Sequence, residues 1–363
     1  MAEAGGEAQE PDVDIMEQAK YPLIWVAVTV STAIGAYTAV APPSCSAVRS
    51  CAEIDGALPT LLNGYATCGL VTVFLHEVAA LCLNYRSARQ LVGLISGIEN
   101  VFIPPLLLCI SFFVLVIENS VFMVDGAAAL SHSAAPGAWA QANEPVYTVI
   151  YVEWLINVPI LIILAGKCAL GKQLRDLTSP LICTNVYIII AWSAHFVATP
   201  SLRWTLICSS FAMYGWASYE MVQWVIQYCQ TADSGAPSRV LRPCLTIGLV
   251  LIFGVYGIVY LCTDLGIMSG YAERVSYICM NIGVKLIMSM AFAGIRSSEY
   301  HDMLVDMLVN TKIPFQRQIA CSYMNVAEGA AVASEIRANR EAAAAEQRRG
   351  QITEPLLRVS KGS

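Results

Sequence analysis

Eight apolar stretches, each long enough to cross a hydrocarbon layer about 30 Å thick, recur along this chain. They fall at about 21–41, 60–84, 90–117, 146–166, 180–199, 203–230, 243–263 and 275–295. Backbone N–H and C=O groups find no water inside a bilayer, so each stretch must close its own hydrogen bonds as a helix. The expected class is an all-α membrane protein. Composition agrees, with 56% hydrophobic and 13% charged residues, the latter about half the share in soluble domains.

An even number of spans puts both termini on one side. The loops after the second, fourth and sixth blocks carry Arg86, Arg89, Lys167, Lys172, Arg175, Arg239 and Arg242, whereas the alternate loops carry Arg49, Arg203 and Arg274. Seven cations against three predict cytosolic termini, with the plasma membrane as the expected location. Residues 1–20 are acidic and polar, with no basic start or early apolar run, and are expected to be a disordered cytosolic tail. Residues 297–363 turn polar again, and "EGAAVASEIRANREAAAAEQRR" within them favours helix without sustained apolar heptads. This tail of 67 residues is too short and too simple for a typical catalytic domain. The expectation is a chain that is not itself an enzyme.

Several chemistries have no footing in the residues. A net charge of −6 and the absence of a basic stripe leave no nucleic-acid footprint. No Cys/His group has the spacing of a metal centre. Most of the 13 cysteines lie within apolar blocks, where they act as small hydrophobes. Cys45 and Cys51 differ, because they flank the polar loop "PPSCSAVRSC"; if extracellular, they form a candidate disulfide.

One residue breaks the apolar pattern in a way that demands an explanation. Lys285 lies in "YICMNIGVKLIMSMAFAG", 11 residues before Arg296, or about 16 Å along a helix. That places it near the bilayer midplane, where a bare ammonium costs about 2.5–3.5 kcal/mol even on insertion scales. It must be neutralised, paired or consumed chemically. Glu153, in "YTVIYVEWLINVPILI", lies at similar depth, beside Trp154 and one turn before Asn157. Phe253, Tyr256 and Tyr260 share one helical face in "LIFGVYGIVYLC", and Asn281 precedes Lys285 by one turn. Aromatic spacing of this kind is more often packing than a ligand face. The buried Lys and Glu give it weight, since they can neutralise each other with aromatics lining the space between.

Together, "YVEWLINVP", "FGVYGIVYL" and "NIGVK" resemble three motifs of the microbial (type 1) rhodopsins, the bacteriorhodopsin-like retinal proteins, in order across residues 60–296. The resemblance implies a seven-transmembrane-helix retinal-binding bundle, preceded here by an extra helix at 21–41. It implies all-trans retinal bound covalently to Lys285 as a Schiff base, with Glu153 as counterion. Trp154, Phe253, Tyr256 and Tyr260 would form the retinal cage. Phe253 departs from the usual Trp and Gly257 from a common Pro, both of which should loosen the pocket. Asn281 replaces a second aspartate, and Ile150 stands where an Arg is usual. Leu164 occupies the position of a proton donor and Asn157 that of a Thr, so a proton pump is not expected.

The eight-span layout resembles the enzyme-linked rhodopsins, the rhodopsin phosphodiesterases and rhodopsin guanylyl cyclases. The implied function is light sensing, with helix motion passed to the cytosolic side, to an effector reached through the C-terminal tail, in a homodimer within the lipid bilayer. The alternative is a light-gated ion channel. His76, Glu77 and Glu99 lie in apolar blocks, and Glu77 and Glu99 are expected to face each other as a candidate ion path. Pro104 and Pro105 are expected to kink the helix that follows Glu99.

Overall fold

The computed structural model describes residues 15–42, 57–91, 99–124, 130–132, 145–232 and 238–310. Cys45 and Cys51 lie outside them. Contacts divide the chain into two units, Met1–Ser298 and Glu299–Ser363. The site belongs entirely to the first, and of the second the described part is the helical stretch up to Asn310.

Each of the eight apolar blocks becomes a helix. They are α1 (Ile15–Val40), α2 (Ala57–Leu91), α3 (Glu99–Val124), α4 (Thr148–Ile163), α5 (Leu174–Ala194), α6 (Pro200–Thr231), α7 (Leu241–Asp264) and α8 (Gly270–Asn310). A π-helical turn, Leu164–Ala169, continues α4. Before α4, the two-residue strands β1 (Ser131–His132) and β2 (Pro145–Val146) pair antiparallel, with Ser131 opposite Val146. Seven of the helices are long and apolar enough to cross a membrane. The exception is α6, whose length suffices but whose Ser209, Ser210, Ser218, Glu220 and Gln223 dilute its hydropathy. It nevertheless belongs to the bundle, packed between α5 and α7.

Helix α4 holds the centre. Twelve of its 16 residues are buried, from Thr148 to Ile163, because α1, α3 and α5 all pack on it. An apolar segment hidden on every side needs no polar face, which is why "VPILIIL" carries none. Large apolar residues on other helices, such as Leu61, Ile258, Ile287 and Met290, point outward, as a lipid-facing surface requires. The extra helix α1 turns inward Thr29, Ala33 and Ala36, small residues at helical spacing that let two backbones approach closely. Tyr37 then stacks on Trp192 of α5, with ring centroids 6.3 Å apart.

Two features depart from the sequence reading. The helix of the third block, described from Glu99, continues past the expected end at 117 to Val124. Finally, Arg203 and Arg274 do not behave as exposed loop cations, being 6% and 3% exposed. Arg203 pairs with Asp264 and ties the start of α6 to the end of α7, while the Arg274 guanidinium lies 4.0 Å from the Phe122 ring centroid. Buried charge needs such company.

Candidate functional site

Lys285 of α8 and Glu153 of α4 meet in the middle of the bundle. The Lys285 Nζ donates to Glu153 Oε1 at 3.0 Å, with the residues 3% and 2% exposed. Asn157, one turn beyond Glu153, donates its amide to the same oxygen and also to the Ser111 carbonyl of α3 at 3.3 Å. It thereby fixes the carboxylate between two helices. Glu153 Oε2 has no hydrogen-bond partner among the described residues, so one face of the carboxylate stays available.

The rest of the site is aromatic. Trp154 packs edge-on against Tyr256 and Tyr277, with centroids 5.1 and 5.3 Å away. The Tyr256 hydroxyl donates to Asn281 Oδ1 at 2.5 Å, which ties α7 to α8 one turn from Lys285. Lys285, Trp154, Phe253, Tyr256, Gly257 and Tyr260 all line one cavity. Partly open to the outside of the bundle, it leaves about 70 Å³ of free space among these side chains.

Sequence reasoning did not name the opposite wall, which is built from Tyr187 of α5 and Phe211 and Tyr214 of α6. These residues also offset the loosening expected at 253 and 257. A Cβ at Gly257 would come 3.2 Å from Phe211 Cε1, and one at Gly254 would come 2.8 Å from the Tyr214 hydroxyl. Glycine lets the two helices close on each other there. Tyr214 is itself anchored, donating to the Val250 carbonyl at 2.8 Å. A search for tyrosines at helical spacing in the neighbouring blocks would have found Tyr187 and Tyr214 only as ordinary packing.

Of the candidate ion-path residues, Glu77 and His76 have described side chains. Glu77 faces α8. It accepts from Arg296 Nη1 at 2.9 Å and from Ser289 Oγ at 2.7 Å, and is itself fully buried. A carboxylate at that depth needs a cation, and Arg296 supplies it. The His76 side chain is 63% exposed, with Nδ1 3.5 Å from Glu77. The Glu99 side chain lies outside the described residues. Among the described residues no group of His, Cys, Asp and Glu is arranged to hold a metal ion.

Comparison with known proteins adds an independent line. A family model described as "Bacteriorhodopsin-like protein" matches residues 74–296. No curated protein sequence matches the chain. Among solved structures, the transmembrane domain of the rhodopsin phosphodiesterase from Salpingoeca rosetta superposes with a TM-score of 0.59 at 12% identity, covering 78% of this chain and 99% of that one. The same protein's transmembrane domain with its linker gives 0.60 at 12% identity, covering 81% and 96%. The light-driven proton pump rhodopsin from Coccomyxa subellipsoidea gives 0.53 at 15% identity, covering 65% and 96%. At such identities the structural likeness concerns the fold alone.

Proposed function

The chain belongs to the bacteriorhodopsin-like family of microbial rhodopsins, and on that premise we propose that it is a light sensor whose retinal is carried by Lys285. The residues present fit that group: a primary amine in the wall of an aromatic cavity, and a buried carboxylate 3.0 Å from the nitrogen with one oxygen unpartnered. Retinal in the all-trans form, condensed with this amine, supplies a polyene that light isomerises. Trp154, Phe253, Tyr256 and Tyr260 hold it from α4 and α7. Glu153 balances the positive charge on the Lys285 nitrogen and is the nearest base for its proton. Asn157 keeps the carboxylate aimed.

The route out of the site supports a sensor rather than a pump. Ile160, Leu161, Ile162, Ile163 and Leu164 are apolar and fully buried on the inward side of α4. A pump must reload its nitrogen from that side through titratable groups, and Glu77 is held there by Arg296 and Ser289. Lys285, Ser289 and Arg296 share one face of α8. A displacement of Lys285 is therefore loaded directly onto the Glu77 clamp, whose release changes how α8 packs on α2. The same reading places both termini in the cytosol, the protein as a homodimer in the plasma membrane, and a cytosolic effector at the C-terminal tail. Likeness to the transmembrane domain of a rhodopsin phosphodiesterase supports coupling to an effector of that kind.

The observation that carries this reading is the buried Lys285–Glu153 contact inside an aromatic cavity. Its test is direct: purified protein given all-trans retinal should become coloured and bleach with hydroxylamine. A wild-type protein that stays colourless overturns the reading.

A further inference from the structure

A second, much smaller chamber lies between α2, α3, α4 and α8, lined among others by Asn63, Glu118, Ile150, Arg274 and Asn281. Its space is about 10 Å³, near the minimum that one water molecule occupies. Glu118 is 5% exposed and Asn63 2%, and Glu118 Oε2 and Asn63 Oδ1 have no hydrogen-bond partner among the described residues. Buried polar oxygens left without a partner are costly, so two of them around one water-sized space mark a built polar site. A water there needs two to four polar neighbours, and these residues supply them.

Ile150 and Asn281, which line the chamber, each stand one helical turn before Glu153 and Lys285. Glu118 is within electrostatic range of Glu153 on α4 and of Lys285 and Arg274 on α8, while α2 presents the neutral Asn63. Asn281, which lines the chamber, has its amide oxygen occupied by the Tyr256 hydroxyl. As an amide it adds no negative charge beside the nitrogen. A carboxyl on α3 can add it from the other side of the chamber.

We infer that Glu118 is a second carboxyl group of the Lys285 site and that it shares with Glu153 the balancing of the charge on the Lys285 nitrogen. This rests on the retinal reading. The pigment of the Glu153→Gln variant should keep a visible band at neutral pH, because Glu118 remains. Adding Glu118→Gln should convert that band to a near-ultraviolet form at the same pH, and Glu118→Asp in its place should restore it. In retinal-free protein, infrared titration of the Glu153 carboxyl should show a displaced midpoint in Glu118→Gln. Should Glu118→Gln not accumulate as folded protein, Glu118→Asp is read by the same titration, since a shorter reach also displaces the midpoint. Identical spectra for the single and double variants, with an unmoved infrared midpoint, overturn the inference. If the wild-type protein takes up no retinal, the light-sensor reading fails, and the infrared titration still decides whether Glu118 and Glu153 are coupled.

Discussion

Glu77 of α2 and Arg296 of α8 form a buried ion pair, Oε2 to Nη1 at 2.9 Å, on the same helix face that carries Lys285. Breaking such a pair from one side strands a buried charge and costs about 3–5 kcal/mol. Arg296→Ala should therefore lower the thermal midpoint of the detergent-solubilised protein markedly. The paired change Glu77→Leu with Arg296→Met should restore most of it, because an apolar pair leaves nothing uncompensated. Equal losses in the two variants would show that the pair is not coupled.

Lys285→Ala removes the amine and should abolish pigment formation while leaving the helical circular-dichroism signal intact. Residual visible absorption that bleaches with hydroxylamine would move the attachment to another lysine.

Glu153→Gln leaves the Lys285 nitrogen without its 3.0 Å carboxylate. An opposite charge stabilises the cationic form, so the visible band should move to the red. Conversion to the near-ultraviolet form should set in at lower pH than in the wild type. An absorption titration from acid to alkaline pH reads both effects, and an unchanged spectrum would assign the charge balance elsewhere.

Gly254→Ala forces a methyl to within 2.8 Å of the Tyr214 hydroxyl. Overpacking of this kind costs about 1–3 kcal/mol. Tyr214 should lose its bond to the Val250 carbonyl, with slower pigment regeneration and a shifted band. Gly248→Ala on the same helix meets nothing within 4 Å and should behave as wild type.

Illumination of cells under voltage clamp should give neither a pumped nor a passive current, since Glu77 is engaged rather than lining an open path. Glu77→Gln should instead change the lifetime of the late photoproduct, followed by flash absorption. A passive current that reverses with the ionic gradient would favour the ion-channel alternative.

The architecture was legible because burial in lipid leaves a crude mark: long apolar blocks with charges at their ends, each of which became a helix. Lys285 and Glu153 were legible for the same reason, as charges that violate the pattern. Glu118 was missed because the third block was closed at residue 117, where the first charge appeared; the helix in fact continues to Val124. Arg203, Arg274 and Arg296 were read as boundary markers, yet all three are buried. Arg203 and Arg274 reach back inside from the first turns of their helices, Arg296 lies well within α8, and their surroundings come from other helices far away in sequence. Phe211 and Tyr214 carried no local signal, because a cavity wall is defined by what stands opposite.

The added helix α1 covers the one helix that has no side left for lipid, and that helix bears Glu153. Deleting α1 would thus do more than shorten the protein's lifetime in a membrane. It would expose the scaffold of the Glu153 carboxylate, and on the light-sensor proposal a change of hue should precede any measured loss of folded protein.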